Sequence, residues 1–223
     1  PNGEPVIPIT LAIELKRNLV TRVTTTNRAE GFAPSPTGDV LAVDFRGEIF
    51  LVPVEPEFGE MARVTRSPWR DRFQLFSPDG TKLAYISDES REEEIWIYDL
   101  TTRERNKLTT HESVKSNLVW APDSKRLAFV AANRLFEANV ETGVVTELAY
   151  NRASGYAGVA YTPDGKCLTY HRSDDDLNVE GYLFELATRR EYNVTKNPFR
   201  DEALTVTPDG STVVFISTRD SGR

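Results

Sequence analysis

The sequence predicts an all-β fold, a β-propeller built from four-stranded antiparallel blades, with about four complete blades and partial blades at both ends. The first observation is a Pro-Asp-Gly-like tetrapeptide that occurs five times, with proline-to-proline intervals of 42, 44, 41 and 45 residues. The second observation is that the same short apolar strand follows every copy. A strand-built repeat of about 40 to 45 residues is typical of propeller blades. The copies begin at Ser35, Ser77, Ala121, Thr162 and Thr207.

The repeated tetrapeptide predicts a tight turn between the first and second strands of each blade. Proline presets φ at the second turn position, Asp hydrogen-bonds nearby backbone, and Gly completes the reversal without steric cost. Three substitutions, Thr37 for the Asp and Ala121 and Ser124 for the flanking residues of the third copy, are expected to weaken single turns without changing the register.

The strand after each turn carries apolar residues with a period of two, which predicts a sheet packed on both faces. One face carries Leu41, Leu83, Leu127, Leu168 and Val213, followed by Val43, Tyr85, Phe129, Tyr170 and Phe215. The opposite face carries Ala42, Ala84, Ala128, Thr169 and Val214. Small residues on that face suit the close approach of a neighbouring blade.

Two further strands are predicted in each unit. The third strands contain residues 48–52, 94–98, 135–140 and 182–186, and the fourth strands contain residues 63–65, 107–109, 147–149 and 193–195. The complete blades are therefore predicted over residues 31–66, 73–110, 117–149 and 158–195.

Both ends of the single predicted domain, residues 1–223, carry incomplete blades. Residues 1–26 are interpreted as the end of a preceding blade, and residues 203–223 hold only two strands. The terminal pieces either combine into one shared blade that closes the ring, or the chain is an arc of a larger ring. We favour the arc because no third strand follows Thr218. An arc has unpaired strand edges and predicts self-association, which edge charges such as Glu185 and Arg189 oppose.

Composition limits the classes of partner. The net charge of −7 and the pI of about 5.1 argue against nucleic acid and anionic membranes. A single cysteine, Cys167, is interpreted as a small buried residue and excludes an internal disulfide. No apolar run reaches membrane-spanning length and no signal peptide is recognisable, so the compartment, cytoplasmic or periplasmic, stays open.

Sequence motifs of catalysis are absent. The two histidines, His111 and His171, are interpreted as exposed polar residues, and there is no Gly-x-Ser-x-Gly motif. The acidic runs at residues 174–176 and 92–94 are interpreted as solvated turns, because they lack the ligand spacing of a calcium loop. We therefore predict no catalytic residue, no metal site and no cofactor in this chain.

The loops that enter the first strands carry the remaining candidate residues. Because the first strand lines the central channel of a propeller, these residues are expected around the channel mouth. This set, called here the channel-mouth residues, comprises Arg28, Glu30, Arg70, Asp71, Lys115, Arg200 and Asp201. They form either a binding rim for peptide or protein, or a set of solvated loop charges that pair with one another.

Several segments resemble the propeller of tricorn-type serine peptidases. The most specific is residues 46–53, Arg-Gly-Glu-Ile-Phe-Leu-Val-Pro, supported by residues 31–36, 64–68, 76–80 and 85–88. Residues 195–219 resemble the closing part of the family's second propeller. The Ser-Pro-Asp-Gly turn also occurs in TolB-like and prolyl-oligopeptidase-like propellers.

The resemblance implies a parent hydrolase that degrades oligopeptides, with propellers guiding substrate to a catalytic region outside this chain. We therefore expect a non-catalytic, steric filter whose partners are oligopeptides or unfolded polypeptide and the remaining domains of the parent, with a homo-oligomer possible. The alternative is a TolB-like scaffold for protein–protein interaction that belongs to no enzyme. A third interpretation, a prolyl-oligopeptidase-like enzyme, predicts a Gly-x-Ser-x-Gly motif after the last blade.

Overall fold

The structure is a computed structural model that describes residues 29–219 except Pro56, Phe58, Ser67, His111, Glu112 and Asp175. Within these residues the regular structure consists of strands, arranged in four four-stranded sheets and one two-stranded sheet, all antiparallel. The predicted fold class, an all-β propeller with four-stranded blades, is confirmed. The partial blade predicted within residues 1–26 lies outside the described residues.

The strands follow one another in chain order. The first sheet holds β1 (Ala29–Pro34), β2 (Val40–Phe45), β3 (Glu48–Pro53) and β4 (Ala62–Arg63). The second holds β5 (Asp71–Phe76), β6 (Lys82–Ser87), β7 (Glu94–Asp99) and β8 (Arg105–Lys107). The third holds β9 (Lys115–Trp120), β10 (Arg126–Ala131), β11 (Arg134–Asn139) and β12 (Val145–Tyr150). The fourth holds β13 (Ala157–Tyr161), β14 (Cys167–Ser173), β15 (Val179–Glu185) and β16 (Arg190–Asn193). The last holds β17 (Asp201–Val206) and β18 (Val213–Ser217).

The first strand of each sheet is the inner strand. Strand order within every sheet follows the chain, and the first strands of successive sheets contact one another, β1 with β5, β5 with β9, β9 with β13 and β13 with β17. The sheets therefore radiate from a common centre, as blades of a propeller do. We refer to them as blades one to five.

Apolar packing between successive blades forms the core. The second strands are buried on both faces, as Leu83, Ala84 and Tyr85 of β6 and the equivalent residues of β10 are all fully buried. Three apolar clusters lie between blades one and two, two and three, and three and four. The small residues predicted on one face, such as Ala42 and Ala128, are fully buried where adjacent blades meet.

The repeated turn is held by its side chains as well as by its backbone. In blade two the Gly80 N–H donates to Ser77 O at 2.8 Å, and the Ser77 hydroxyl donates to Asp79 at 2.6 Å. The Ser77 Oγ atom also accepts from the Lys82 N–H at 3.0 Å, at the start of β6. Thr162 and Thr207 form the same bonds in blades four and five.

The turns of blades one and three lack at least one of the usual residues, and in each a nearby aspartate makes a hydrogen bond that holds the turn. In blade one Thr37 replaces the turn Asp, and Asp39 accepts the Ser35 hydroxyl instead, at 2.7 Å. In blade three Ala121 has no hydroxyl, yet Asp123 accepts from the Lys125 N–H at 2.9 Å. The register across the turn is unchanged in both blades, since Pro34 pairs with Leu41 and Trp120 with Leu127, as Phe76 pairs with Leu83 in blade two.

Three of the fourth strands end earlier than predicted. β4, β8 and β16 end at Arg63, Lys107 and Asn193, two residues before the predicted ends. In each blade a threonine at the predicted end uses its side chain in place of the backbone ladder. The Thr65 Oγ1 atom accepts from the Ile49 N–H at 2.9 Å, and Thr109 and Thr195 accept in the same way in blades two and four.

The outer edge of β12 is covered by a side chain from the next blade. The Arg189 guanidinium donates to Glu147 O, and to Leu148 O at 3.2 Å. A cation on an edge strand opposes pairing with another sheet. Arg189 lies in the turn between β15 and β16 and occupies carbonyl groups at the outer edge of β12; that Arg189 and Glu185 oppose self-association stays a prediction.

Replacing Ser77 by Ala should lower the free energy of unfolding by about 1 to 2 kcal/mol, because a buried hydroxyl with two hydrogen bonds is lost. Alanine fits the site sterically, since Ala121 occupies the equivalent position in blade three. Urea denaturation measures the change, with Thr101→Ala at an exposed turn as the matched control. A Ser77→Ala variant as stable as the control would contradict the role of the hydroxyl.

The turn aspartates should make the protein sensitive to acid. Hydrogen bonds from Thr207 and Ser211 lower the pKa of Asp209 from 3.8 to about 2. A folded pKa below the unfolded value stabilises the protein above the unfolded pKa, and this contribution is lost as pH falls through the folded pKa. Urea midpoints measured between pH 3.8 and about 2 should therefore fall less steeply for Asp209→Asn than for the wild type. Parallel profiles for the two proteins would contradict this assignment.

Candidate functional site

Each inner strand contains a bulge that faces the centre. The pairing of every inner strand with the second strand shifts register once, as between Arg72 and Leu75 of β5. The residue at the bulge has a positive φ in four blades: 56° at Phe73, 51° at Asn117, 61° at Gly158 and 55° at Ala203. Bulges re-aim side chains and often lie beside functional sites.

A cavity of about 480 Å³ opens between the inner strands of blades one, two and three. Its volume lies within the range of small-ligand pockets, about 300 to 1,000 Å³. Two aromatic side chains on its wall are exposed to solvent, Phe32 by 74% and Phe73 by 56%. Exposed aromatic side chains at a concave surface are a feature of binding sites.

The arginines of this cavity are already paired. Arg70 Nη2 lies 2.7 Å from Glu30 Oε2, and Arg72 forms an ion pair with Glu93. The Arg72 guanidinium also stacks on the Phe73 ring, 4.8 Å from its centroid. The hydrogen bond to Glu30 raises the pKa of Arg70, which therefore stays charged. These pairs neutralise both cations at the cavity wall.

Two acceptors in the same cavity lack such compensation. Asp44 is 5% exposed, accepts from the Gly31 N–H, and makes no ion pair with any described residue. Burial raises its pKa, and the Gly31 N–H partly offsets that effect. Gln74 donates through Nε2 to Gly31 O and Ala42 O, both at 3.1 Å, while its buried Oε1 accepts no hydrogen bond from the described residues. A buried acceptor without a donor costs about 1 to 3 kcal/mol.

The channel-mouth residues do not form one exposed set. Glu30 and Arg70 lie at the cavity, and Arg200 is exposed and pairs with Glu202 at 3.0 Å. Arg28 lies outside the described residues. Contrary to the expectation of exposed rim charges, three members are fully buried between blades: Asp71, Lys115 and Asp201.

These three buried residues join adjacent blades. Each is the first residue of an inner strand and lies beside the threonine that ends the preceding blade. The Asp71 carboxylate is hydrogen-bonded to Thr65 of blade one and to Ser87 of its own blade; burial raises its pKa, and these bonds partly offset the rise. We call the threonine and the first residue of the next inner strand the inter-blade latch.

The latch differs at the other junctions. Between blades two and three, Lys115 Nζ lies 3.0 Å from Glu94 Oε2, and Thr109 donates to the same carboxylate. Glu94 is 3% exposed, so its interpretation as part of a solvated turn was wrong. Between blades three and four Tyr156 takes the position of the latch residue and packs in the apolar cluster that also contains Val130 and Leu135 of blade three.

Blade five repeats the aspartate latch. Burial alone would raise the pKa of Asp201, but hydrogen bonds with Ser217, Asn197 and Thr195 dominate and lower it. The carboxylate is therefore held ionised in the interior. The Asp201 carboxylate stabilises the contact between blades four and five, and because it is fully buried a ligand in the channel cannot contact it.

His171 is also buried further than expected. It lies within β14 with a side chain 17% exposed, and its Nδ1 atom accepts from the Ala203 N–H at 3.2 Å. Burial lowers its pKa. Its interpretation as an exposed residue was therefore wrong, and its role is to join blades four and five. His111 lies outside the described residues.

The described residues contain no cluster of side chains that would bind a metal ion. They hold no group of three or more His, Cys, Asp or Glu side chains placed to bind a metal ion. Asp174 accepts from the Asp176 and Asn178 N–H groups, which is the geometry of a turn. Cys167 is only partly buried, and burial raises the pKa of its thiol. Between residues 29 and 219 no described segment forms an apolar helix of bilayer-spanning length.

The radiating four-stranded sheets define the protein as a β-propeller. Residues 46–223 match the family described as TolB beta propeller domain (PD40), and the chain belongs to that family. A curated relative, the uncharacterized peptidase YuxL of Bacillus subtilis (strain 168), is 28% identical over 107 residues, which cover 42% of this chain and 16% of YuxL.

Solved structures share the fold. The crystal structure of the tricorn protease superimposes with a TM-score of 0.74 and 21% identity, over 86% of this chain and 19% of that chain. A putative TolB from Agrobacterium tumefaciens superimposes with a TM-score of 0.65 and 20% identity, over 85% of this chain and 69% of that one. The chain thus spans under a fifth of YuxL and of the tricorn protease.

Breaking the buried ion pair of the latch should strongly destabilise the protein. Lys115→Met leaves the Glu94 carboxylate buried beside an apolar side chain, which should cost about 3 to 5 kcal/mol of unfolding free energy. The double variant Lys115→Met/Glu94→Gln should recover part of that loss, because no uncompensated charge remains.

Lys166→Met is the matched control. Lys166 is 78% exposed, and its Nζ lies 3.5 Å from Asp164 Oδ2, so its loss should change stability by about 1 kcal/mol or less. Urea denaturation of the four proteins measures these differences. Equal effects of the two lysine substitutions would contradict the latch.

Proposed function

We propose that this propeller is the non-catalytic part of a tricorn-like serine peptidase. It guides oligopeptides along the inner-strand channel to a catalytic region outside these 223 residues. Its mechanism is steric, because a channel admits extended peptide and excludes folded protein. Oligopeptides and the remaining domains of the parent are the proposed partners.

The observation that carries the proposal is the pair of exposed aromatic side chains on the channel wall. Phe32 and Phe73 line the 480 Å³ cavity, although burial elsewhere would stabilise the fold more. Aromatic rings offer a large apolar contact area, and the burial of apolar area is non-directional, which suits a sequence-tolerant guide. The Arg70–Glu30 pair beside them is exposed and offers exchangeable polar contacts.

The resemblance to tricorn-type peptidases supports the same proposal, and so does the fold shared with the tricorn protease. We also propose that the chain is an arc of a larger ring. Val214 and Ile216 of β18 are 50% and 63% exposed, although equivalent residues of the other blades pack against a neighbour. A following blade would cover this face.

The alternative is a TolB-like scaffold for protein–protein interaction, favoured by the family match over residues 46–223. The sequence that follows these residues in the same polypeptide distinguishes the two. A serine peptidase domain downstream supports the guide, whereas an early stop supports the scaffold. A Gly-x-Ser-x-Gly motif after the last blade would instead favour a prolyl-oligopeptidase-like enzyme.

Substitution of the channel aromatics in the intact protein tests the proposal. Phe32→Ser combined with Phe73→Asn should lower kcat/KM for long fluorogenic oligopeptides by about tenfold, since two apolar contacts worth roughly 0.7 kcal/mol each are lost. Asparagine suits the positive φ at this position, as Asn117 does in blade three. Short peptides that reach the catalytic region without these contacts should be affected less.

Two further variants complete the experiment. Leu177→Ser, at an exposed apolar residue away from the cavity, is the control and should leave turnover unchanged. Charge reversal at Arg70 and Arg200 should also change the dependence of turnover on peptide length. Unchanged turnover at every length in the aromatic and the charge-reversal variants would contradict the proposed guide.

A further inference from the structure

Asp44 and Gln74 break the apolar pattern of the repeat. Counted from the turn, the position of Asp44 holds Ile86, Val130, His171 and Ile216 in the other blades. The position of Gln74 holds Phe32, Leu118, Val159 and Leu204. The fold is therefore built at these two positions mainly with apolar side chains. The Gln74 amide joins blades one and two, and Asp44 accepts the N–H of the bulge residue Gly31 much as His171 accepts that of Ala203. A neutral acceptor serves that role in blade four, so the charge of Asp44 needs a further reason.

Both residues lie on the wall of the same cavity. Each bonds the backbone of Gly31, Asp44 through the Gly31 N–H and Gln74 through the Gly31 carbonyl at 3.1 Å. They are 5% and 6% exposed, so their orientation is fixed by the surrounding protein. Asp44 and Gln74 thus form a polar part of the cavity wall, and both are held in place by the backbone of Gly31.

The chemistry of this wall is that of an acceptor. The Gln74 amide nitrogen is used by two carbonyl groups, which leaves the Oε1 atom without a donor among the described residues. Asp44 contributes a negative charge that no described cation neutralises within ion-pair distance. The two arginines of the cavity are engaged by Glu30 and Glu93. The charge that is left at the cavity wall is therefore the negative charge of Asp44. The polar groups that are left there are hydrogen-bond acceptors.

We propose that the cavity binds the free amino terminus of a peptide, with the ammonium group paired to the Asp44 carboxylate at the cavity wall. An ammonium group supplies three N–H donors and a positive charge, which match the negative charge and the remaining acceptor capacity of the Asp44 carboxylate. The first side chain of the peptide packs against Phe32, which is 74% exposed at the cavity. This inference rests on the proposed function, since it names the end of the peptide that the channel recognises.

The orientation of the peptide follows from this pairing. If the amino end is held at the inner strands of blades one and two, the carboxyl end extends away from Asp44. Acetylation of the amino group removes both the charge and two donors. The site should therefore separate free peptides from amino-terminally blocked ones of the same sequence.

Isothermal titration calorimetry of the intact protein near neutral pH tests the inference with two probes, Ala-Phe amide and N-acetyl-Ala-Phe amide. The free peptide should bind at least about tenfold more tightly, as expected for a charged hydrogen bond. Asp44→Asn keeps an oxygen for the Gly31 N–H but removes the charge, and should abolish the difference between the probes. Asp99→Asn, in an exposed turn remote from the cavity, should retain it.

Three results would overturn the inference. Equal binding of both probes, or a preference retained in Asp44→Asn, would reject recognition of the amino terminus while leaving peptide binding by the channel intact. Binding of neither probe would also reject the inference, whereas the proposed guide is decided separately by the turnover of long peptides. Thermal unfolding of each variant, monitored by circular dichroism, verifies that a lost preference reflects the site and not the fold.

Discussion

The inter-blade latch is the interaction on which the rest of this propeller depends. Blades that pack on both faces bury the end of each outer strand, where backbone groups need partners. A threonine side chain supplies one partner within its own blade and contacts the first residue of the next inner strand, as Thr65 does between Ile49 and Asp71. The same side chain thus ends one blade and positions its neighbour.

The latch also decides which charges are available for binding. Three charged side chains are fully buried between blades: Asp71, Lys115 and Asp201. Their charges stabilise the contact between blades and are not exposed at the channel mouth. Because each latch fixes the start of an inner strand, it fixes the bulge two residues later, at Phe73 and Asn117 in blades two and three. The inter-blade latch therefore determines how the inner strands present their side chains to the channel, although the latch itself does not line the channel.

Much of the fold could be predicted from the sequence because its signals are local. The turn at Ser77 and the apolar period after it depend on residues within one hairpin. The burial of Asp71 and Lys115 could not be read in this way, since it depends on the preceding blade. A signal did exist, as Thr65–Asp71, Thr109–Lys115 and Thr195–Asp201 share a spacing of six residues. The cavity itself gave no such signal, because its residues come from five strands of three blades.

A repeat fold provides its own internal reference for separating scaffold from site. Where all blades keep one residue type, as along the apolar face of the second strands, packing accounts for it. Where the blades differ but each difference is compensated nearby, as for Thr37 and Asp39, the change is structural. Asp44 and Gln74 differ from their equivalents and are buried, and among the described residues Asp44 has no ion-pair partner and the Gln74 Oε1 atom has no donor. A folded chain maintains such a combination at a cost in stability, and sites for ligands are where proteins bear that cost.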